Sequence, residues 1–217
     1  MKDTHKVAVH LHENVPANWY ETSIKNNLFQ RYWHTRRFDE VSKLIEPVES
    51  VLDIGCADGT FTKVVLEKTK AKRLVGIDVL EKSIAYVKKR FAKNKKMSFS
   101  VADAHDLPFK SSEFEAVFCL EALEHVVDPA RVLYEIFRVL KIGGYVIVLV
   151  PSENWLFHSV VWPLWQMFPG KNIWKHTHLH NFSNGFLQEL IENSGFKIEV
   201  EKDFISGMLL LVKMRKM

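Results

Sequence analysis

A short run of glycine and aspartate carries the residues best suited to hold a small ligand. Asp53 lies among branched apolar residues that predict a buried strand. Gly55, Asp58 and Gly59 follow this strand and precede a segment with helical apolar spacing. A glycine leaves room for a bound group to approach the backbone. Acidic neighbours oppose pyrophosphate binding at a helix N-terminus, whereas an ammonium or sulfonium group favours them. The turn therefore predicts a cationic ligand, and its spacing departs from the GxGxxG pattern of dinucleotide-binding turns.

Two further aspartates follow the next predicted strands. Asp78, which precedes Val79, ends a strand about 20 residues after the turn, where a carboxylate can accept hydrogen bonds from both hydroxyls of a ribose. Asp103 and Ala104 follow the third strand, where a carboxylate can accept from an adenine amino group. Each aspartate alone is more commonly a turn residue or a helix cap. Acids at three successive strand ends favour a nucleoside, and with the cationic preference they predict S-adenosylmethionine (SAM) as cofactor.

A third group of polar residues follows the fourth predicted strand. Glu121, Glu124 and His125 have the spacing i, i+3 and i+4, which would place all three on one side of a helix. They could form a general base or a small divalent metal site, because two carboxylates and an imidazole suit magnesium, manganese or zinc. Alternatively, the acids occupy a first helical turn, where the dipole favours them, and the histidine caps or packs. His125 is our candidate catalytic residue, and no metal is expected because only three ligands are visible.

Strand and helix patterns alternate along the chain. This alternation predicts a Rossmann-like, doubly wound α/β sheet of seven strands, mostly parallel, with ligands at the carboxyl ends of the strands. Two strands at the end, 197–204 and 208–213, predict an antiparallel hairpin that a dehydrogenase fold does not normally show. The other strands are expected at 51–54, 73–78, 97–101, 114–120 and 144–150, with helices over 83–93 and 130–140.

The first part of the chain differs from the rest in its pattern of polar and apolar residues. Residues 1–18 are polar and without period, which predicts a mobile arm. From Asn18 to Pro47, aromatic residues and apolar spacing predict one or two helices, which could cover the ligand site or simply pack on the sheet. We therefore divide the chain into an arm and cap helix, 1–35, and a ligand-binding domain, 36–217.

Composition limits the class of protein. The 217 residues include 30 basic and 26 acidic side chains, giving a net charge of +4, and the basic residues are dispersed, so we expect no nucleic-acid partner. Cys56 and Cys119 lie in a turn and an apolar run, which favours a reducing, cytoplasmic location over a disulfide framework. The first residues do not resemble a signal peptide, and no apolar run reaches the roughly 18 residues of a membrane span.

Five segments resemble class I SAM-dependent methyltransferases, in particular small-molecule enzymes similar to ubiquinone and menaquinone biosynthesis methyltransferases. The segments are VLDIGCADGTF, GIDVLEKSI, VADAHDLPF, FEAVFCLEALEHVVDPARVLYEIFRVLKIGGYVIVLVP and HLHNFSNGFLQELIENSGF, within residues 36–217. The resemblance implies cofactor contacts by Asp53, Gly55 and Gly59 at the methionine moiety, Asp78 at the ribose, Asp103 and Ala104 at the adenine, and Leu120 at the sulfonium. Asp58 and Val79 adjoin them and complete the predicted set. The pair Ala57-Asp58 departs from many relatives, which have glycine or a second small residue there.

The same resemblance places His178 at a histidine that recurs in the family, so we expect it to be a second catalytic residue. His176, His178 and His180 alternate and would share one face of an extended segment, but a metal trio is not favoured. Ser183 then predicts an N-cap for the helix that follows.

An aromatic insertion, 152–182, separates the fifth strand from this histidine segment. Its core, 155–168, holds three tryptophans, and it suits a hydrophobic substrate pocket, a helix at a membrane interface, or a lid packed on the core. We favour O- or C-methylation of a small lipophilic acceptor, with peripheral membrane contact as an open alternative. An RNA or protein methyltransferase is the main alternative, although the Asp/Asn-Pro-Pro-aromatic run is missing after the fourth strand. A non-catalytic SAM-binding module is the other.

Overall fold

The computed structural model describes residues 2–12, 15–152, 159, 178–182 and 185–217. Its centre is one seven-stranded sheet with strand order β3-β2-β1-β4-β5-β7-β6. The first five strands are parallel neighbours, and β7 pairs antiparallel with both β5 and β6. The predicted fold class is confirmed. The strands are β1 Ser50–Ile54, β2 Arg73–Asp78, β3 Met97–Val101, β4 Phe114–Leu120, β5 Leu140–Pro151, β6 Phe196–Phe204 and β7 Leu209–Lys216.

Helices cover both faces of the sheet and divide the apolar core in two. One core joins the sheet to α6 and α7, and the other joins it to α3, α4 and α5. Helix α6 illustrates how a helix contributes to the core. Its apolar residues Val132, Leu133, Ile136 and Val139 recur at helical spacing, so they lie on one face, and all four are fully buried. The described helices are α1 Lys2–Leu11, α2 Trp19–Asn26, α3 Leu28–Leu44, α4 Thr60–Thr69, α5 Glu81–Arg90, α6 Pro129–Val139 and α7 Phe186–Glu192, with a 3-10 turn at Leu123–His125.

The order of the strands fixes where a ligand can bind. The chain runs outward from β1 to β2 and β3, and then returns past β1 to β4 and β5. Neighbouring strands β1 and β4 therefore send their following loops in opposite directions, which opens a crevice at their carboxyl ends. Backbone N–H groups of Gly55 and Cys56 both donate to the carbonyl of Ile77, which holds the turn after β1 against β2.

The N-terminal region corrects one prediction and confirms another. The expected mobile arm is wrong in part, because residues 2–11 form helix α1; they lack an apolar period, so the pattern gave no signal. Of the one or two helices expected between Asn18 and Pro47, the structure has two, α2 and α3. The side chain of Asn27 caps α3 by accepting from the N–H of Gln30 at 3.1 Å. The division at residue 35 falls inside α3.

Several predicted features lie outside the described residues. They are His176, Ser183 and the aromatic core 155–168, of which the structure describes Ser159. The lid therefore remains a prediction. Among the residues that the structure does describe, no helix is both long enough and apolar enough to cross a membrane.

Candidate active site

A cavity lies at the carboxyl ends of four consecutive strands and under the N-terminal region. Its floor is formed by the residues that follow β1, β2, β3 and β4. Its roof comes from the end of the arm and the start of α2. The lining residues are His12, Val15, Pro16, Ala17, Trp19, Tyr20, Ile54, Gly55, Ala57, Asp58, Ile77, Asp78, Val79, Leu80, Ser83, Ala102, Ala104, Glu121, Ala122, His125 and Val126.

The two glycines of the first turn are required by protein packing. Both have left-handed backbone, with φ of +75° at Gly55 and +78° at Gly59. A Cβ at Gly55 would lie 2.7 Å from the Cβ of Ala122, and one at Gly59 would lie 2.5 Å from Phe91 and 2.6 Å from Val87. Sequence reasoning assigned both to ligand space. The structure adds a packing reason at both positions. Gly55 lines the cavity and Gly59 does not, and their contacts with a cofactor remain predictions.

Asp53 lies behind the cavity, at the junction of β1 and α4. It is 2% exposed, and its Oδ2 accepts a 2.5 Å hydrogen bond from the hydroxyl of Thr62. Burial raises the pKa of Asp53 to about 7, against the lowering effect of that hydrogen bond. Its predicted contact with the methionine moiety therefore remains a prediction, while its observed contact is structural.

Asp78 lines the cavity at the end of β2, and Val79 lies beside it. Its two oxygens accept from the N–H groups of Ala57, at 3.0 Å, and Leu80, at 2.9 Å. Burial raises its pKa, and these two backbone donors oppose the rise. Each oxygen keeps a second lone pair, so the carboxylate can still accept from a ribose hydroxyl. The sequence prediction for Asp78 thus agrees with its position.

Asp58 also lines the cavity, but the protein already uses its charge. Its Oδ2 accepts from the N–H of Glu21 at 2.7 Å, and its Oδ1 accepts from the N–H of Thr60 at 3.0 Å. The guanidinium of Arg90 lies 3.4 Å from Oδ1. These contacts connect the turn to α2, and the role in selecting a cationic ligand that we assign to Asp58 together with Asp53 remains a prediction.

The adenine-side prediction is met in part. Ala104 lines the cavity, as does Ala102, and Asp103 lies between them with its Oδ1 bonded to His105. Leu120 is 7% exposed and belongs to the core, one residue before the cavity wall. Contacts of Asp103 and Leu120 with a cofactor remain predictions.

Glu121 occupies a strained position directly after β4. Its φ is +55°, in the left-handed region that non-glycine residues rarely adopt, and its N–H donates to the carbonyl of Leu149 at 2.7 Å. Its carboxylate forms an ion pair with Arg37 of α3, and both side chains are nearly buried. The expected continuous helix through 121–125 is wrong, because only Leu123–His125 forms a 3-10 turn.

This backbone changes the predicted metal set. Among the described residues, Glu124, His125 and His178 bring their ligand atoms within 4.8 Å of one another, while Glu121 turns towards Arg37. The set of Glu121, Glu124 and His125 is therefore wrong as a cluster. Burial raises the pKa of Glu124 to about 8, and its Oε2 has no hydrogen-bond partner among the residues that the structure describes. Such a carboxyl can hold a proton near neutral pH, so the cluster is suited to acid–base chemistry.

Backbone contacts bring the two predicted catalytic histidines together. The N–H groups of Leu179 and His180 donate to the carbonyl of Glu124 at 2.8 and 3.3 Å, which fixes the histidine segment beside the 3-10 turn. The rings of His125 and His178 are 5.1 Å apart. His125 lines the cavity, and His12 of the arm meets it edge-on at 4.5 Å.

The start of α2 matches the alternative in which the aromatic segment after Asn18 covers the ligand site. Trp19 and Tyr20 open α2 and line the cavity, as expected for aromatic residues that cover a ligand site. The hydroxyl of Tyr86 donates a 2.6 Å hydrogen bond to the carboxylate of Glu21. This contact had no sequence signal, because the two residues are 65 positions apart and lie on different helices.

Comparison with known proteins agrees with this geometry. A family model described as a methyltransferase domain matches residues 52–148. The chain is 26% identical over 182 residues to a probable S-adenosylmethionine-dependent methyltransferase of Mycolicibacterium smegmatis, a match covering 82% of this chain. It is also 26% identical to a demethylmenaquinone methyltransferase of Thermotoga maritima, covering 94% of this chain and 93% of that protein. The chain spans 65% of the first relative's length and under half of two others.

Solved structures share the fold over nearly the whole chain. A SAM-dependent methyltransferase from Thermotoga maritima superposes with a TM-score of 0.71 at 21% identity, covering 96% of this chain and 100% of that one. The N-methyltransferase NodS from Bradyrhizobium japonicum, solved with S-adenosyl-L-homocysteine (SAH), gives 0.67 at 19% identity, with 98% of each chain covered.

Proposed function

We propose that this chain, whose residues 52–148 match a family model described as a methyltransferase domain, is a class I SAM-dependent methyltransferase that transfers a methyl group from SAM to a small, hydrophobic acceptor at oxygen or carbon. The observation that carries the proposal is the cavity itself. It brings together the residues after four consecutive strands, and the N-terminal region closes it from above. This is the place where doubly wound sheets bind nucleotides.

The cofactor would occupy the strand side of the cavity. Gly55 and Ala57 offer close backbone, Asp78 offers hydrogen-bond acceptors for the ribose, and Val79 and Ala104 offer apolar surface for the adenine. The predicted roles of Asp78 and Ala104 are supported by these positions. SAM supplies an electrophilic methyl group, so the protein needs mainly to align an acceptor with it.

The acceptor would enter from the roof side. Val15, Pro16, Ala17 and Trp19 give this side an apolar lining, which suits a lipophilic ring more than a charged polymer. The Thermotoga maritima relative named as a demethylmenaquinone methyltransferase supports the same class of acceptor. Peripheral membrane contact by the aromatic insertion would be one route for such an acceptor, and it remains part of the proposal.

His125 and His178 would accept the proton that the acceptor loses. In an in-line displacement the methyl–sulfur bond breaks while a bond forms from the acceptor oxygen or carbon to the methyl carbon. A hydroxyl acceptor must then lose its proton, and a neutral imidazole facing the cavity can take it. Glu124, in contact with this pair, would orient the rings.

Calorimetric titration with SAM and SAH tests the cofactor half of the proposal. We expect micromolar binding, weakened at least about tenfold by Asp78→Ala, which is about 1.4 kcal/mol. Asp203→Ala is the matched control, because Asp203 is exposed on the outer strand β6. A folded wild-type protein that binds neither compound would contradict the proposal.

Incubation with methyl-labelled SAM and fractionated cell extract tests the acceptor half. Label in the lipid-soluble fraction, lost in His125→Ala, is the expected result. Label retained in RNA or protein would instead support the alternative polymer substrate. Tight SAM binding with no label in any fraction would support a non-catalytic module.

A further inference from the structure

Three large apolar side chains lie exposed at the start of helix α3. Leu28 is 78% exposed, Phe29 54% and Tyr32 62%. Single exposed apolar residues are common on protein surfaces, but a contiguous group indicates a contact with another molecule or with a membrane. We propose that this group, together with the basic residues around it, docks the protein on an anionic lipid surface.

Helical geometry makes the three side chains neighbours. Tyr32 follows Leu28 by four positions and Phe29 by three, and both spacings bring side chains together on one side of a helix. The ring of Phe29 also stacks on that of Trp33, with their centroids 6.2 Å apart. Leu28, Phe29 and Tyr32 therefore form one continuous apolar surface, which we call the α3 patch.

The chain around the α3 patch carries positive charge only. Residues 22–38 include no acid and four basic side chains, those of Lys25, Arg31, Arg36 and Arg37. Arg37 is buried and paired with Glu121. The other three basic residues reach the surface, because Lys25 and Arg31 are exposed and the side chain of Arg36 is 43% exposed.

The ion pair of Arg36 does not cancel this positive charge. Arg36 lies 3.6 Å from a carboxylate oxygen of Glu40. Lys43 and Lys202 lie 2.8 and 2.6 Å from the same carboxylate group. One negative charge is thus shared among three cations, and the surface beside the α3 patch stays positive.

The combination of apolar and basic side chains favours one kind of partner. A second copy of the chain would place the same positive charges opposite one another in a two-fold interface, which is repulsive. A nucleic acid would neutralise the charges but would leave the aliphatic Leu28 without an apolar contact. An anionic bilayer satisfies both, because apolar side chains enter the headgroup boundary while lysine and arginine remain at the phosphates.

Docking at the α3 patch would bring the roof of the cavity to the bilayer. Helix α2 runs from the cavity, where Trp19 and Tyr20 line the roof, to the corner with α3, a length of about 12 Å. The guanidinium of Arg31 donates to the carbonyls of Ile24 and Lys25 at 3.1 and 3.0 Å, which fixes this corner. The inference rests on the proposed function for its purpose, since a lipophilic acceptor dissolved in the bilayer would then lie beside the roof.

Vesicle sedimentation tests the docking surface. The full chain is mixed with vesicles of phosphatidylcholine alone, or of phosphatidylcholine with about 30% phosphatidylglycerol. We expect binding to the anionic vesicles that weakens as salt is added, and at least about tenfold weaker binding to the neutral vesicles. A wild-type protein that binds both kinds of vesicle equally, or binds neither, would overturn the proposal.

Paired apolar substitutions locate the contact. Leu28→Gln with Tyr32→Gln should weaken binding to the anionic vesicles at least about tenfold, because two apolar side chains no longer enter the bilayer. The matched control is Ile142→Gln with Tyr134→Gln, at side chains 78% and 56% exposed on β5 and α6. The control should stay within about twofold of wild type. Equal losses in the two pairs would overturn the proposal.

Paired charge substitutions test the electrostatic part. Lys25→Gln with Arg36→Gln should weaken binding to the anionic vesicles at least about fivefold. Lys88→Gln with Lys89→Gln removes two exposed charges from α5 and should stay within about twofold of wild type. A larger loss in the α5 pair would assign the membrane contact to that helix and overturn the proposal.

A fluorescent label reports on position independently of binding strength. Cys56 and Cys119 are both buried, so an environment-sensitive dye would react with a new surface cysteine. The emission of the dye on Leu28→Cys should shift to shorter wavelength when anionic vesicles are added, and that on Ile142→Cys should not. A shift at neither position or at both would overturn the proposal. So would a shift that grows with protein concentration when no vesicles are present, because the occupant would then be a second copy of the chain.

Calorimetric titration with SAH separates this proposal from the proposed function. A protein that binds SAH but no vesicles contradicts only the docking surface. A protein that binds anionic vesicles through the α3 patch but binds neither SAM nor SAH contradicts the proposed function and supports the docking surface.

Discussion

The backbone N–H of Glu21 donates a 2.7 Å hydrogen bond to Oδ2 of Asp58, so the turn after β1 caps the helix that covers the cavity. Glu21 lies in the first turn of α2, where N–H groups have no partner within the helix. The side chain of Glu21 accepts from Tyr86 of α5 at 2.6 Å and lies 3.4 Å from Arg90. One acid of the turn and one acid of the roof thus hold the cavity closed.

Removal of this hydrogen-bond cap should allow α2 to move away from the cavity. Asp58→Ala leaves the N–H groups of Glu21 and Thr60 without their acceptor, and we expect it to lower the free energy of unfolding by about 2 kcal/mol. Dissociation of SAH should become faster, because α2 no longer stays closed over the cavity. Stopped-flow measurement of SAH release, together with urea unfolding, checks both effects.

Tyr86→Phe is the matched variant for the other side of the roof. It removes the 2.6 Å bond to Glu21 and leaves Asp58 in place, so SAH release should accelerate with a smaller loss of stability. Release rates that stay at the wild-type value in both variants would show that the roof does not control the cavity.

Gly59→Ala should be much more damaging than an alanine at another left-handed glycine. The added Cβ would lie within 2.6 Å of both Phe91 and Val87, and φ is +78°. We expect a loss of about 3 kcal/mol from overpacking and backbone strain together. Gly143 has φ +76°, and in the described part of the chain no atom lies within 4 Å of an added Cβ, so Gly143→Ala measures the backbone strain alone, about 1 kcal/mol.

Thermal or urea unfolding of the two variants gives the comparison. Equal losses would mean that Phe91 and Val87 move aside at little cost. Packing against α5 would then not explain the glycine at position 59, and the result would favour its predicted role beside the ligand.

Local patterns predicted the elements because each strand and helix repeats its own period. The alternation of β and α segments predicted a doubly wound, mostly parallel sheet, and Asp78 lies at the predicted carboxyl end of β2, in the cavity wall. The packing contacts of the two glycines and the hydrogen bond from Glu21 to Asp58 had no sequence signal for one shared reason: their neighbours Ala122, Phe91 and Glu21 are far away in sequence. Spacing within one segment contains no information on which distant side chain will fill the same space.

The residues after β4 show a second kind of limit. The spacing of Glu121, Glu124 and His125 predicted a helical face, but the ion pair with Arg37 and the left-handed backbone turn Glu121 away. His178 lies beside Glu124 and His125 instead, because the backbone N–H groups of the two residues after it donate to the carbonyl of Glu124. Tertiary contacts outweigh the small helical preference of a five-residue run.

The ion pair between Arg37 and Glu121 should be essential to the fold. Arg37→Ala leaves a buried carboxylate without its partner, and burial already raises the pKa of Glu121. We expect a loss of about 3 to 5 kcal/mol. The neighbouring Arg36 is 43% exposed and pairs with Glu40 at 3.6 Å, so Arg36→Ala should cost less than about 1 kcal/mol.

Combination with Glu121→Gln separates the pair from the packing of the arginine stem. The double variant should recover part of the stability lost in Arg37→Ala, because no unpaired carboxylate remains buried. Strict additivity of the two losses would contradict the interpretation that the uncompensated charge causes the damage.

Asp53 should make the stability of the protein depend on pH in an unusual direction. Burial raises its pKa from the ordinary 3.8 to about 7 in the folded protein. Between these values the folded state keeps a proton that the unfolded chain has released. The free energy of unfolding should therefore fall as pH rises from about 4 to 7, by at most about 1.4 kcal/mol per pH unit.

Asp53→Asn isolates this contribution. The amide oxygen can still accept from the hydroxyl of Thr62, and the side chain no longer titrates. The variant should match wild type near pH 4 and become progressively more stable than wild type up to about pH 7, with a constant difference above that value. Urea unfolding at pH 4, 5, 6, 7 and 8 measures the difference. Asp203→Asn, the same substitution at an exposed position on β6, is the matched control. If the Asp53→Asn difference is constant, Asp53 ionises in the folded protein as it does in the unfolded chain, and the buried carboxyl would have to be stabilised as an anion by its surroundings.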